Sequence, residues 1–213
     1  MYDRLLAIDD LTRPDHSFID PTDACHYMGE YTARGGFGAS ATNNLIVNLK
    51  KPMDRRGRAE WRYKEEAIRT VADDLRRILG RPGIESATFV PVPPSKAITD
   101  PNYDPRLAQI LVRMGEGLNS DVRELVLQRD SLPASHESNE RTSIEDLIAN
   151  YYIDESKVQP TPRAIVIFDD MLTTGRHFKA VKAVLAARFP EHRYFGLFIA
   201  RRVPNTDDLA AFL

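Results

Sequence analysis

Apolar residues recur along this chain with two different periods, and the alternation between them predicts its architecture. From Ala59 to Leu79, Ile68, Val71, Leu75, Ile78 and Leu79 return at helical spacing, with Lys, Arg, Glu and Asp on the other face, and Gly80 with Pro82 ends the segment. This pattern is an amphipathic helix packed on a core. Ala87 to Pro93 (ATFVPVP) is a short apolar run stopped by proline. After the loop Pro94 to Tyr103, Asp104-Pro105 offers an N-cap and a first helical position, and Leu107, Ile110, Leu111 and Met114 then line one helical face. Glu124 to Gln128 reads as a strand, Ala164 to Phe168 as a buried strand, Gly175 to Arg188 as a helix with Phe178, Val181, Val184 and Leu185 inward, and Tyr194 to Ala200 as a further strand. Tyr27 to Thr32 and Asn44 to Leu49 are short strand-like or apolar pieces around the glycine-rich loop Arg34 to Gly38. Strands alternating with helices imply an α/β fold with a doubly wound, mostly parallel sheet, in which ligands sit at the carboxyl ends of the strands.

The even spread of apolar segments over 213 residues favours a single domain. Residues 1–26 read as an irregular arm, 27–83 as an N-terminal cap with its helix, and 84–213 as the core. Within the core, 129–150 is a long polar lid with a short helix near Ile144 to Ile148. The formal net charge of −2, from 29 basic and 31 acidic residues, supplies no global field to attract nucleic acid, so an anion has to be held by a local site. A local cationic cluster, Lys50, Lys51, Arg55, Arg56 and Arg58, reads equally well as a phosphate contact or a solvated turn. Cys25 is the single cysteine, no signal pattern opens the chain, and no apolar stretch approaches the roughly 20 residues of a membrane span. A cytoplasmic protein without a membrane partner is expected.

The chemistry concentrates in Ile165 to His177, IVIFDDMLTTGRH. A buried strand delivers the carboxylates of Asp169 and Asp170 to its exposed end. The chain then turns through Met171, Leu172, Thr173, Thr174 and Gly175 into a helix that opens with Arg176 and His177. Backbone N–H groups, hydroxyls and a positive helix end converge there, which suits a phosphate. Carboxylates at one end and a phosphate cradle at the other fit a ribose 5-phosphate, whose 2- and 3-hydroxyls would donate to Asp169 and Asp170. The alternative is structural: acids ending a strand and a threonine capping a helix.

This segment resembles the loop that binds phosphoribosyl pyrophosphate (PRPP) in type I phosphoribosyltransferases. Arg176 and His177 stand where that family has a small residue and Thr, so a cationic or N–H donor replaces a hydroxyl. Phe89-Val90-Pro91-Val92-Pro93, the run Asn44 to Lys51 and the Arg129 region are similar to ComF-like members, without the N-terminal four-cysteine zinc ribbon that many of them carry. The resemblance implies a type I phosphoribosyltransferase fold with a small hood, and an enzyme that transfers the phosphoribosyl group of PRPP to an unidentified acceptor with release of pyrophosphate. Asp169 and Asp170 would be its catalytic pair. Mg²⁺ would travel on the pyrophosphate, with no direct protein ligand. The resemblance further implies Ser95 and Lys96 in a pyrophosphate loop, and Arg129, His136 and Arg141 in the lid. A non-catalytic PRPP or nucleotide sensor and a ComF-like accessory in DNA uptake or recombination stand as alternatives, and monomer or homodimer stays open.

Overall fold

The computed structural model describes residues 1–132 and 142–204. Its strands are β1 (Leu6–Ala7), β2 (Ala24–Thr32), β3 (Ala87–Pro91), β4 (Asp121–Val122), β5 (Val126–Gln128), β6 (Tyr151–Ile153), β7 (Ala164–Leu172) and β8 (Tyr194–Val203). The helices are α1 (Ala41–Leu49), α2 (Trp61–Ser86), α3 (Arg106–Met114), α4 (Ile144–Asn150) and α5 (Arg176–Arg188). Six strands form one sheet in the order β1-β2-β8-β7-β3-β4; only β1 is antiparallel to its neighbour. Strands β5 and β6 make a separate antiparallel ribbon. The fold is therefore α/β with a mostly parallel sheet, consistent with a doubly wound arrangement.

Strand β7 is central because its sequence can be buried on both faces: Ile165, Ile167 and Phe168 have no exposure and Leu172 has 1%. From β3 the chain passes through α3 to β4 on one side, and from β7 it passes through α5 to β8 on the other. The two connections diverge, so a crevice opens between the carboxyl ends of β3 and β7, the switch point at which such sheets bind ligands. Right-handed crossovers in opposite directions put α3 and α5 on opposite faces. Accordingly α3 packs on α2, and α5 packs on α4 and the β5–β6 ribbon.

Several boundaries differ from the sequence reading. Asn44 to Leu49 is not strand-like but part of α1, because Ser40 caps the helix by accepting the Asn43 N–H at 3.0 Å while Leu45, Ile46 and Leu49 share a buried helical face. The arm is not irregular throughout: it contributes β1 and the start of β2, and Ala24–Thr32 belongs to the main sheet rather than to a cap. The long amphipathic helix breaks at Gly80, where the sequence reading ends it, although α2 continues beyond. That glycine (φ 62°) breaks the helical path, and Pro82 opens a second helical stretch that runs to Ser86. Pro105, not Asp104, is the residue before α3, although Asp104 Oδ1 still accepts the Arg106 N–H at 3.2 Å. Strand β7 continues past Phe168 to Leu172, so Met171 and Leu172 belong to the strand with both acids and the turn starts at Thr173.

Candidate functional site

A cleft of about 670 Å³ opens at the switch point. Asp169, Asp170, Met171, Thr173 and His177 line it from β7 and α5, Pro91 to Lys96 from the end of β3, Tyr103 to Ala108 from the start of α3, and Lys50 from the end of α1. The two neighbouring carboxylates have opposite environments. Asp170, 4% exposed, binds Lys50 Nζ through Oδ1 at 2.8 Å and Arg106 through Oδ2, at 2.6 Å to Nη2 and 3.1 Å to Nε. Burial opposes its ionisation, but Lys50 and Arg106 outweigh burial and hold its carboxyl well below the usual range. Asp169 has no such partner; its Oδ1 accepts the Asp170 N–H at 2.7 Å. Burial, and then the adjacent Asp170 charge, push its carboxyl up to about 7. The pair thus combines a fixed anion with a group that exchanges its proton near neutrality.

The cations belong to a buried chain of ion pairs. Asp104 Oδ2 bridges Arg106 at 2.7 Å and Lys64 Nζ at 2.6 Å, and Lys64 also donates to the Leu49 and Lys51 carbonyls at 2.9 and 2.8 Å. Lys64, Arg106 and Lys50 face Asp104 and Asp170, so one positive charge is left over unless Asp169 ionises. Lys96, Asp54 and Glu124 also line the cleft, so its charges are mixed and the positive surplus is confined to the network around Asp170. The sequence left Lys50 open between a phosphate contact and a solvated turn and put Lys64 on the charged face of a helix; no signal in it marked Lys64 as buried. Arg106 stands one position from where the resemblance would align a basic residue after the loop, and that offset kept it from being singled out.

The β7–α5 turn is held from behind. Gly175 has φ +87°, and a Cβ there would lie 2.5 Å from Ile19 Cδ1, so both backbone and packing require glycine. Among the residues expected to hold phosphate, Met171, Thr173 and His177 line the cleft, Leu172 is in the core, and Thr174, Gly175 and Arg176 form the turn behind it. The Arg176 guanidinium lies over the Phe18 ring at 5.3 Å and donates to the Thr142 carbonyl at 2.8 Å, so it is turned away from the cleft. His177 Nδ1 is 3.0 Å from the Tyr151 hydroxyl. Burial drops the imidazole to about 4, with Asp170 pulling the other way, so the ring is neutral. With Tyr151 donating, its proton is on Nε2.

Ser95 and Lys96 line the cleft as expected, on a loop fastened by the Leu132 N–H to the Ser95 carbonyl at 2.7 Å and the Ala97 N–H to Ser131 Oγ at 3.0 Å. At the same end, the Tyr103 hydroxyl donates to Glu124 Oε1 at 2.6 Å; burial, then Glu124, raise its pKa. Arg129 is exposed and stacks on Tyr152 at 5.1 Å, outside the cleft lining, so the structure does not bring it to the acids. His136 and Arg141 lie outside the described residues.

No protein-family model and no curated protein matches this chain. Among the described residues, no three His, Cys, Asp or Glu side chains gather as metal ligands. With the Asp170 oxygens committed to Lys50 and Arg106, the acid pair by itself would not hold a hard cation that did not bring its own oxygen ligands. No helix of the described residues is long and apolar enough to cross a membrane.

Proposed function

We propose that the cleft binds PRPP and transfers its phosphoribosyl group to an acceptor with release of pyrophosphate, within a type I phosphoribosyltransferase fold. One observation carries this reading: an acid pair at the end of the central strand, Asp170 of it bound by two cations, lines a switch-point cleft, and a glycine-forced turn into α5 follows it directly. Asp169 and Asp170 accept the ribose hydroxyls. The turn and the neutral His177 receive the 5-phosphate by N–H donation. Ser95, Lys96, Lys50 and Arg106 surround the pyrophosphate. Mg²⁺ supplies charge neutralisation on that leaving group. The acceptor attacks C1, the C1–O bond to pyrophosphate breaks with its electron pair, and the Asp169–Asp170 carboxylates stabilise the positive charge that grows on the ribose. The acceptor lies toward Tyr103 and Glu124, which line the cleft together with Pro93, Pro94 and Val126. A cytoplasmic location goes with this reading.

A PRPP sensor without turnover is the second reading, and one contact favours it: Lys50 and Arg106 both engage Asp170, an ion-paired arrangement that an anionic ligand competing for those cations can switch. Calorimetric titration with PRPP and Mg²⁺ tests both. Binding that is lost in the Asp169→Asn, Asp170→Asn double variant supports the site, and pyrophosphate release with any acceptor then selects the enzyme. Silence toward PRPP, ribose 5-phosphate and nucleoside monophosphates alike overturns both.

A further inference from the structure

The segment before β2 does more than fill space. Its groups meet the β7–α5 turn one after another: the His16 ring contacts the Thr173 carbonyl through Nδ1, the Phe18 N–H donates to the Thr174 carbonyl at 2.9 Å, and Ile19 packs against Gly175. A turn that cradles an anion must aim its N–H groups at the ligand and its carbonyls elsewhere. Here the two carbonyls that would repel an anion are taken up from behind by donors of the arm. The arm is itself anchored: Asp23, with no side-chain exposure, binds Lys179 at 2.8 Å and Lys182 at 2.6 Å on α5, and Asp15 binds Arg201 of β8 at 2.9 Å.

We infer that His16 is a positioning residue, and that the arm from His16 to Ile19 sets the β7–α5 turn in its anion-receiving shape without touching the ligand. His16 is wholly buried, and its Nε2 finds no hydrogen-bond partner among the described residues. A buried polar atom left unsatisfied costs about 1–3 kcal/mol, so the ring is a poor choice for mere filling, whereas its Nδ1–H is the group that Thr173 needs. Burial lowers its pKa, which keeps the ring in the neutral form that has one donor and one acceptor.

The inference rests on the proposed function only for the ligand, and its test separates the two. Amide hydrogen exchange of Phe18, whose N–H bonds the Thr174 carbonyl, and of residues 171–181 around the turn is measured without ligand in the wild type, His16→Ala and His16→Asn, beside exchange of β3 as an internal reference. The expected result is exchange at least about ten-fold faster in the turn of His16→Ala, with β3 unchanged, and near wild-type protection in His16→Asn, whose amide can still donate to Thr173. PRPP titration should follow the same order, with affinity about ten-fold weaker in His16→Ala and restored in His16→Asn. Equal turn protection in all three proteins, or equal loss in both variants, overturns the positioning role. If the exchange pattern appears while the wild type ignores PRPP, the proposed function fails and the arm's role stands.

Discussion

Lys64 is the sharpest place to perturb the charge network without entering the cleft. Its side chain is 2% exposed and its ammonium makes three contacts, to Asp104 and to the Leu49 and Lys51 carbonyls. Lys64→Met keeps the volume and removes the charge. Two buried carbonyls at the end of α1 then lose their donor, at about 1–3 kcal/mol each, while Asp104 keeps Arg106 as a partner. The ammonium no longer has to be desolvated, which offsets part of that cost. The net expectation is a loss of about 3–5 kcal/mol in a urea melt, or on the order of 10 °C in midpoint for a chain of this size. Lys50 follows directly after α1 and reaches Asp170, so the same variant should weaken PRPP binding although Lys64 touches no ligand. A surface control, Lys157→Met, should shift the melt by no more than about 0.5 kcal/mol. A Lys64→Met loss below about 1 kcal/mol would refute the claim that this ammonium ties α1 to the acid network.

Asp169 predicts a pH signature. Its folded pKa is raised above the unfolded value, so it contributes stability below the unfolded pKa that is lost as pH rises through about 7. Asp169→Asn should therefore melt higher than the wild type at pH 8, with the gap narrowing toward pH 5; an equal gap at both values counts against the shift. Gly175→Ala combines a left-handed backbone with a clash against Ile19 and should cost at least about 1–3 kcal/mol, read by thermal melting. A melt that is unchanged means the turn adjusts freely. The Cys25 thiol is buried and pushed up to about 12, mainly by burial, so a thiol reagent should modify the native protein at pH 8 far more slowly than the urea-unfolded chain. Similar rates in the two states would place that thiol at the surface.

The order of strands and helices was legible because β3, β7 and β8 have to be apolar on both faces, and α3 and α5 carry a helical apolar face. The acid pair and its turn were legible because the order of residue types from Phe168 to Gly175 has few structural uses. What stayed hidden depended on partners distant in sequence. Lys50 and Asp170 are ordinary charges until the fold brings them to 2.8 Å. His16 carries no local pattern, since its role comes from a carbonyl 157 positions away. Helix α1 was misread because a run such as Leu45-Ile46-Val47 fits a strand as well as a helix, and the Ser40 cap decides only with the backbone in view. The arm's fixed shape follows from Asp20 and Asp23 meeting Lys179 and Lys182, a pairing that no single segment encodes.

The most direct measurement is a crystal structure of the protein grown with PRPP and Mg²⁺. The account predicts ribose hydroxyls at Asp169 and Asp170, the 5-phosphate on the N–H groups between Thr173 and His177, and Lys50 or Arg106 moved from Asp170 onto the pyrophosphate. A ligand bound elsewhere on the chain, or a cleft that keeps its ion pairs and stays empty at saturating PRPP, would contradict it.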